Sequence, residues 1–113
     1  MIQIVGTKKS RETAQAIRFC KERSIAFQFV DLRARSLSSG EWESIFAAIE
    51  AEELIDTTSR YYTKEGYSYR LYDPRQEVMA HPELLRLPIL RFRGKAAVGF
   101  DAETILAWRK SDA

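Results

Sequence analysis

The sequence predicts one α/β domain in which a four-stranded mixed sheet is flanked by helices. Three observations predict it: a strand-helix-strand pattern at the start, two strand runs and a helix at the end, and a mainly helical insertion at about 35–86 between these halves. Strands joined through a helix lie parallel in a right-handed crossover, whereas a short turn joins antiparallel strands. The chain has 113 residues, 45% of them hydrophobic, which is enough for a single core. One domain over residues 1–113 is therefore expected.

The opening half begins with the β-branched run IQIVG, which is typical of a buried strand and ends at Gly6. From Ser10 the apolar positions recur at the spacing of a helix. These positions are Ala14, Ala16, Ile17, Phe19 and Cys20. Serine is a preferred N-cap, so Ser10 is expected to accept a hydrogen bond from the backbone N–H of Glu12 or Thr13. The stretch SIAFQFVDL then predicts a second strand, at residues 27–31.

The insertion predicts several helical segments. Residues 37–55 indicate a helix capped by Ser38 or Ser39, and its apolar stripe would be Trp42, Ile45, Phe46 and Ile49. Residues 56–76 contain all five tyrosines and predict short helices and loops. A helical pattern returns from Gln76 to Leu87, split where Pro82 suits a first helical turn.

The closing half predicts a hairpin and a terminal helix. The run LPILRFRGKAAVGF contains two strand patterns around Arg93-Gly94-Lys95, at residues 88–100. The segment DAETILAWRK predicts a helix capped by Asp101. The residues expected to face inward are Ile105, Leu106 and Trp108.

Composition excludes several classes of function. The net charge of +2 gives no electrostatic reason to expect binding to nucleic acid or to an anionic membrane. Cys20 is the only cysteine, so an intramolecular disulfide is excluded, and with one histidine the chain cannot form a zinc site of the usual kind. No run approaches the roughly 20 apolar residues of a membrane span. A cytoplasmic protein that needs no metal is expected.

Three stretches carry a resemblance to a known family. They are IVGTKKSRETAQAIRFCKERSIAFQFVDL at the start, RLPIL before the hairpin, and AAVGF in its second strand. Together they resemble the arsenate reductase (ArsC) and Spx-like branch of glutaredoxin-related proteins over essentially the whole chain. The resemblance implies a thioredoxin-like fold with a cis peptide bond between Leu87 and Pro88. At that bond the exposed backbone would bind an extended peptide or glutathione.

The resemblance also implies a catalytic cysteine at the start of the first helix, where the helix terminus stabilises a thiolate. Ser10 occupies this position, and Thr13 stands where Spx-like members place a second cysteine. A serine hydroxyl would need an adjacent base, and the single histidine, His81, lies in another segment. Redox cycling and thiol attack on an oxyanion are therefore expected to be lost.

An anion site at the same helix terminus remains open as a prediction, since backbone N–H groups there favour anions. The residues beside Ser10 that would hold the anion are Lys8, Lys9, Arg11 and Thr13. A solvated basic loop is the competing interpretation. Arg60 approximately matches a family arginine that holds the oxyanion, although a surface arginine beside tyrosines is favoured. The family arginine before the proline is replaced by Leu87, with Arg86 one place earlier, and GFDAE lacks a further one.

Two other features have both a functional and a structural interpretation. Cys20 lies on the apolar face of its helix and is expected to pack in the core instead of acting as a redox centre. The stretch RYYTKEGYSYRLY mixes aromatic and basic residues, as surfaces for single-stranded nucleic acid do. Because Glu65 and Asp73 interrupt the basic character, tyrosines that cover the insertion or contact a protein are favoured.

Two functions compete. The first is a non-catalytic binding or regulatory protein on the ArsC/Spx scaffold, with a protein partner, as Spx-like relatives are for RNA polymerase. The second is a residual glutathione-linked arsenate reductase or glutaredoxin-like oxidoreductase that uses Ser10 as a polar orienter of a bound thiol. The missing thiols favour the first. No resident cofactor is expected, glutathione could still bind, and the partner would be a protein or a small anion or thiol ligand, not nucleic acid.

Overall fold

The computed structural model describes residues 1–112 and has the predicted order of elements. The opening half consists of strand β1 (Ile2–Gly6), helix α1 (Arg11–Glu22) and strand β2 (Phe27–Asp31). The helices of the insertion are α2 (Ser39–Ala48), α3 (Arg60–Lys64) and α4 (Pro74–Ala80). The closing half consists of β3 (Ile89–Phe92), β4 (Lys95–Val98) and α5 (Ala102–Asp112). The α/β thioredoxin-like fold class is confirmed.

The four strands form one mixed sheet in the order β2-β1-β3-β4. Strands β1 and β2 are parallel, with Ile4 opposite Phe29, as the crossover through α1 requires. Strand β3 runs antiparallel to β1, with Leu90 opposite Ile4, and β4 runs antiparallel to β3. The hydrophobic β1 and β3 are thus central, and β2 and β4 are the two edges.

The hairpin between β3 and β4 turns at Arg93 and Gly94, whose φ angles are 48° and 79°. Positive φ at both central residues is the requirement of a two-residue type I′ turn. The prediction placed Lys95 in the turn as well, but Lys95 is the first residue of β4 and pairs with Phe92. The Leu87–Pro88 peptide bond, at the start of the hairpin, is cis.

The insertion is more interrupted than the sequence pattern predicted. The helix expected over 37–55 ends at Ala48, and Ala51–Leu54 forms a separate 3-10 turn after the extended Ile49. Ser38, not Ser39, is the N-cap, and Ser38 and Glu41 form a capping box. Two further 3-10 turns are Tyr67–Tyr69 and Pro82–Leu84. Helix α4 begins two residues before the predicted Gln76, because Asp73 caps it and Pro74 suits its first turn.

Two hydrophobic cores lie on the opposite faces of the sheet. Val5 and Ile89 face the insertion, whereas Ile4 and Leu90 face α1 and α5, as the alternation of side chains along a strand dictates. Cys20 is buried in the second core.

Helix α5 covers the second core, with its N-terminus capped by Asp101, whose carboxylate accepts from the Thr104 N–H at 3.2 Å. Ile105 and Trp108 are buried there, but Leu106 is 41% exposed, so the prediction that it faces inward was wrong. Successive residues of a helix differ by about 100° in direction, which turns Leu106 away from the face that Ile105 occupies. Within residues 1–112, none of the helices has the length and apolar character needed to cross a bilayer.

Candidate functional site

Ser10 lies where the loop after β1 enters α1, and it caps that helix. Its backbone is extended, and its hydroxyl oxygen accepts from the Thr13 N–H at 3.2 Å. Its own N–H donates to the Thr7 carbonyl at 3.1 Å, which closes the loop. The hydroxyl is therefore engaged in holding the helix terminus, as the N-cap prediction stated.

Thr13, one turn into α1, is fully buried against Gly6. A Cβ added to Gly6 would overlap the Thr13 hydroxyl oxygen and come within 2.8 Å of its Cγ2. Among residues 1–112, the Thr13 hydroxyl has no hydrogen-bond partner. The side chain at this position is a packing group beneath the loop, and its N–H is already bonded to Ser10.

A cavity of about 380 Å³ opens beside Ser10. An isolated antiparallel bridge between Ile55 and Leu85 brings Asp56 and Arg86 to its wall. The bridge is supported by the Arg86 N–H, which donates to the Leu54 carbonyl at 2.7 Å. The lining residues are Ser10, Arg11, Glu12, Asp56, Leu85, Arg86 and Leu87. Two guanidinium groups face two carboxylates in this lining, so the cavity carries no net positive charge of the kind that an oxyanion needs.

A larger cleft of about 840 Å³ continues from this cavity along β4. The two spaces share Glu12, Asp56 and Arg86. The cleft adds the carboxylates of Glu52 and Glu53, so four acidic side chains border it with one arginine. Its local charge is therefore negative.

The comparison with protein families matches the ArsC family over residues 6–108. The chain belongs to the ArsC family. Comparison with curated protein sequences gives no significant match.

Solved structures agree with this assignment at the level of the fold. The structure of a protein named YffB has a TM-score of 0.81 at 19% identity, covering 96% of this chain and 98% of that one. An arsenate reductase from Vibrio cholerae has a TM-score of 0.75 at 19% identity, covering 95% of this chain and 96% of that one. An arsenate reductase-related protein from Brucella melitensis has a TM-score of 0.72 at 21% identity, covering 96% and 94%.

The residues predicted to bind an anion in this ArsC-family protein do not converge on one site, and one of them, Thr13, is fully buried. Arg11 borders the Ser10 cavity. Lys8 and Lys9 are exposed in the loop before α1, and neither lines that cavity. Arg60 is exposed at the start of α3 and borders neither the cavity nor the cleft. Within residues 1–112, no group of three histidine, cysteine or carboxylate side chains is gathered to hold a metal.

The other predicted binding residues lie at the cis peptide bond. Leu87 is half-buried and borders the Ser10 cavity, whereas Pro88 is buried behind it. Glu12 and Asp56 were missed by the sequence reasoning, and Arg86 was considered only as a displaced family arginine. Two sequence features could have identified cavity residues: Glu12 stands in the first turn of a helix, and Arg86 stands beside LPI.

Cys20 is removed from this site. Ten residues of helix separate it from Ser10, about 15 Å along the axis at 1.5 Å per residue. Its side chain is 0% exposed, and burial raises the pKa of its thiol. A buried thiol with a raised pKa is a poor nucleophile.

The tyrosine-rich stretch of this ArsC-family protein packs largely on itself. Tyr67 is buried, stacks on Tyr62 with ring centroids 5.7 Å apart, and meets Tyr72 edge-on at 5.0 Å. Its hydroxyl donates to Glu77 at 2.8 Å, and burial together with this carboxylate raises the pKa of Tyr67. Tyr69, in contrast, is 93% exposed. Most of these rings therefore stabilise the insertion.

Proposed function

We propose that this ArsC-family protein is a non-catalytic binding or regulatory protein, of the Spx-like kind, that has lost thiol chemistry. The observation that carries the proposal is Ser10, which stands at the family cysteine position and uses its oxygen to cap α1. A serine hydroxyl does not ionise at neutral pH without a base, and the two carboxylates of its cavity are bonded elsewhere: Glu12 accepts from the Phe100 N–H, and Asp56 accepts from Thr58. A cytoplasmic location and a protein partner belong to the same proposal.

The rest of the chain offers no substitute thiol. Disulfide exchange proceeds through a mixed disulfide and needs an accessible sulfur. Cys20 is fully buried, and Thr13 fills the second family cysteine position with a hydroxyl packed under Gly6. Both steps of a two-cysteine cycle therefore lack their reacting group.

A second candidate function is a residual glutathione-linked arsenate reductase or glutaredoxin-like oxidoreductase, since a related solved structure is an arsenate reductase. The observation in its favour is the open cavity beside Ser10 and Leu87, which has room for part of a thiol ligand. In that case glutathione would supply the sulfur, and Ser10 would only orient it. The balanced charge of the cavity favours the non-catalytic proposal.

The deciding experiment measures arsenate reduction and glutathione disulfide reduction with four proteins: wild type, Cys20→Ala, Ser10→Cys, and the double variant. Wild type and Cys20→Ala are expected to be equally inactive. Activity gained with Ser10→Cys, and kept in the double variant, would show a pocket that lacks only its nucleophile. If wild type is more active than Cys20→Ala, Cys20 is a reacting thiol and the proposal is wrong. If both proteins are active to the same extent, the glutathione-linked alternative is favoured.

Anion binding at the start of α1 is a separable part of the proposal. Inorganic phosphate at millimolar concentration is expected to shift the amide resonances of residues 7–13, because N–H groups at a helix N-terminus attract anions. A control residue is Thr104 in the first turn of α5, which lacks the basic loop. Unchanged resonances in residues 7–13 would remove the anion site and leave the loss of thiol chemistry untouched.

A further inference from the structure

Strand β4 leaves part of its backbone unpaired at the outer edge of the sheet. Within residues 1–112 it has β3 on one side and no strand on the other. The Gly99 N–H donates to the Pro88 carbonyl at 2.8 Å. The backbone groups of Gly99 therefore point to the β3 side of the strand. Along a strand, the N–H and C=O of one residue point to one edge, and those of the next residue point to the other edge. The backbone groups of Ala97 therefore point to β3, and those of Ala96 and Val98 point outward.

The open stretch has a defined end. The next outward N–H, that of Phe100, donates to the Glu12 carboxylate at 3.0 Å. The guanidinium of Arg86 lies at the same end of the strand. A Cβ added to Gly99 would be 3.3 Å from this guanidinium and 3.3 Å from the Glu12 carboxylate. Ala96 and Val98 thus offer two donors and two acceptors to one short extended segment.

The cleft beside this edge is both roomy and acidic. The cleft, of about 840 Å³, runs along Ala96, Ala97 and Val98. The small side chains of these residues let another backbone approach. Glu12, Glu52, Glu53 and Asp56 border it, and none of these carboxylates forms an ion pair within residues 1–112. Glu52 and Glu53 are exposed to solvent. One cation, Arg86, opposes four anions.

We infer that the outer edge of β4 binds an extended basic segment of a partner protein, which adds to the sheet as a fifth strand. The backbone of Ala96 and Val98 supplies the hydrogen bonds, and lysine or arginine side chains of the segment enter the acidic cleft. Strand addition takes affinity from main-chain bonds and specificity from alternate side chains. The inference rests on the proposed binding function and deepens it by naming the chemistry of the partner.

A second copy of this chain does not suit the edge. Pairing of β4 with β4 around a twofold axis would place the two acidic clefts against each other, and like charges in contact repel. Charge complementarity selects a basic segment instead.

The test uses a capped peptide of alternating lysine and valine, seven residues long, titrated into the full chain and followed by amide hydrogen exchange. The Ala96 and Val98 amides are expected to gain protection on binding, while Ala97, already bonded to β3, serves as the internal reference. Two control peptides separate the contribution of charge from that of the main-chain hydrogen bonds. One replaces lysine by glutamate, and the other keeps lysine but is N-methylated at every internal amide; neither is expected to bind.

Matched protein variants test the role of the carboxylates. Glu52→Gln with Glu53→Gln is expected to raise the Kd of the lysine peptide about 2- to 30-fold, the range for two exposed charge pairs. Glu43→Gln with Glu83→Gln changes the net charge equally outside the cleft and is expected to change the Kd less than about twofold. Protection elsewhere than at Ala96 and Val98, binding of the N-methylated peptide, or a dimer that buries β4 would overturn the inference. Reductase activity in the wild type would overturn the proposed function alone, since the exchange measurement does not depend on it.

Discussion

Thr13 lies against Gly6 at the point where the chain leaves β1 and enters α1. The hydroxyl and methyl groups of Thr13 fill the space in which a larger residue at position 6 would place its Cβ. The contact holds the loop that carries Ser10, so Thr13 acts there through packing. Such a contact couples the two residues energetically.

Gly6→Ala is expected to lower the free energy of unfolding by about 1 to 3 kcal/mol, because overpacking a filled core forces neighbouring atoms apart. Thr13→Ala is expected to relieve this overlap, so the double variant should lose at least about 1 kcal/mol less than the sum of the single losses. Urea denaturation of the four proteins measures the coupling. Gly6→Ala with Thr13→Val keeps the crowding and should show no rescue; equal behaviour of the two double variants would contradict the contact.

At the scale of single elements, Glu41 joins the start of α2 to the sheet. Its carboxylate accepts two hydrogen bonds from Arg35, at 2.8 and 2.9 Å, and one from the Ser38 N–H at 2.8 Å. Arg91 of β3 lies 3.5 Å away. The Arg35 hydrogen bonds are the largest cause that lowers the pKa of Glu41 to about 2.

The stabilisation from Glu41 is expected to depend on pH. Because the folded pKa is depressed, the stabilisation is complete above the unfolded pKa of about 4.3 and is lost as the pH falls towards 2. Glu41→Gln should therefore cost about 1 kcal/mol at pH 7, as loss of a helix cap does, and almost nothing near pH 2. Urea denaturation between pH 7 and pH 2 measures this difference. Glu43→Gln, exposed on the same helix, is the control, and a pH-independent cost for Glu41→Gln would disprove the assignment.

The turn between β3 and β4 and the first turn of α2 contain a matched pair of glycines. Neither Gly94 nor Gly40 has an atom within 4 Å of an added Cβ, so substitution tests the backbone alone. Gly94 has a φ of 79°, and Gly94→Ala is expected to lower the free energy of unfolding by about 1 kcal/mol. Gly40→Ala is expected to raise it by up to about 1 kcal/mol, since alanine favours a helix. Chemical denaturation of both variants is the measurement, and changes of the same sign would contradict the turn geometry.

At the scale of the whole molecule, one sheet separates two cores that the chain builds from different segments. The core on the α1 and α5 side contains Cys20, which the other elements cover completely. Exposing Cys20 requires α1, or the elements that pack on its inner face, to move away.

Cys20 is therefore expected to react with a thiol reagent only when the protein unfolds. Its reactivity in increasing urea should rise at the same midpoint as the loss of helical circular dichroism, since burial both shields the sulfur and raises the pKa of the thiol. The Ser10→Cys variant, with its new thiol at the half-buried helix start, is the positive control and should react at once. Fast reaction of wild type without urea would show that this core opens locally.

Much of the fold could be predicted because it depends on neighbours in sequence. The strand run before Gly6, the helical spacing after Ser10, the serine caps and the Arg93-Gly94 turn are local patterns, and each is present in the structure. The errors also have local causes. The pattern of residues 37–55 does not show that the backbone becomes extended at Ile49, and apolar character alone does not show that Leu106 turns to solvent.

The sequence by itself thus determined the α/β order, the pairing of the strands, and the presence of a single cysteine, Cys20. The tertiary structure alone decided the charge of the cavity beside Ser10, the burial of Thr13 beneath Gly6, and the open backbone of Ala96 and Val98. The physical reason is distance along the chain. Glu12, Asp56 and Arg86 come from separate segments, and only the sheet order and the bridge between Ile55 and Leu85 bring their charges to one wall.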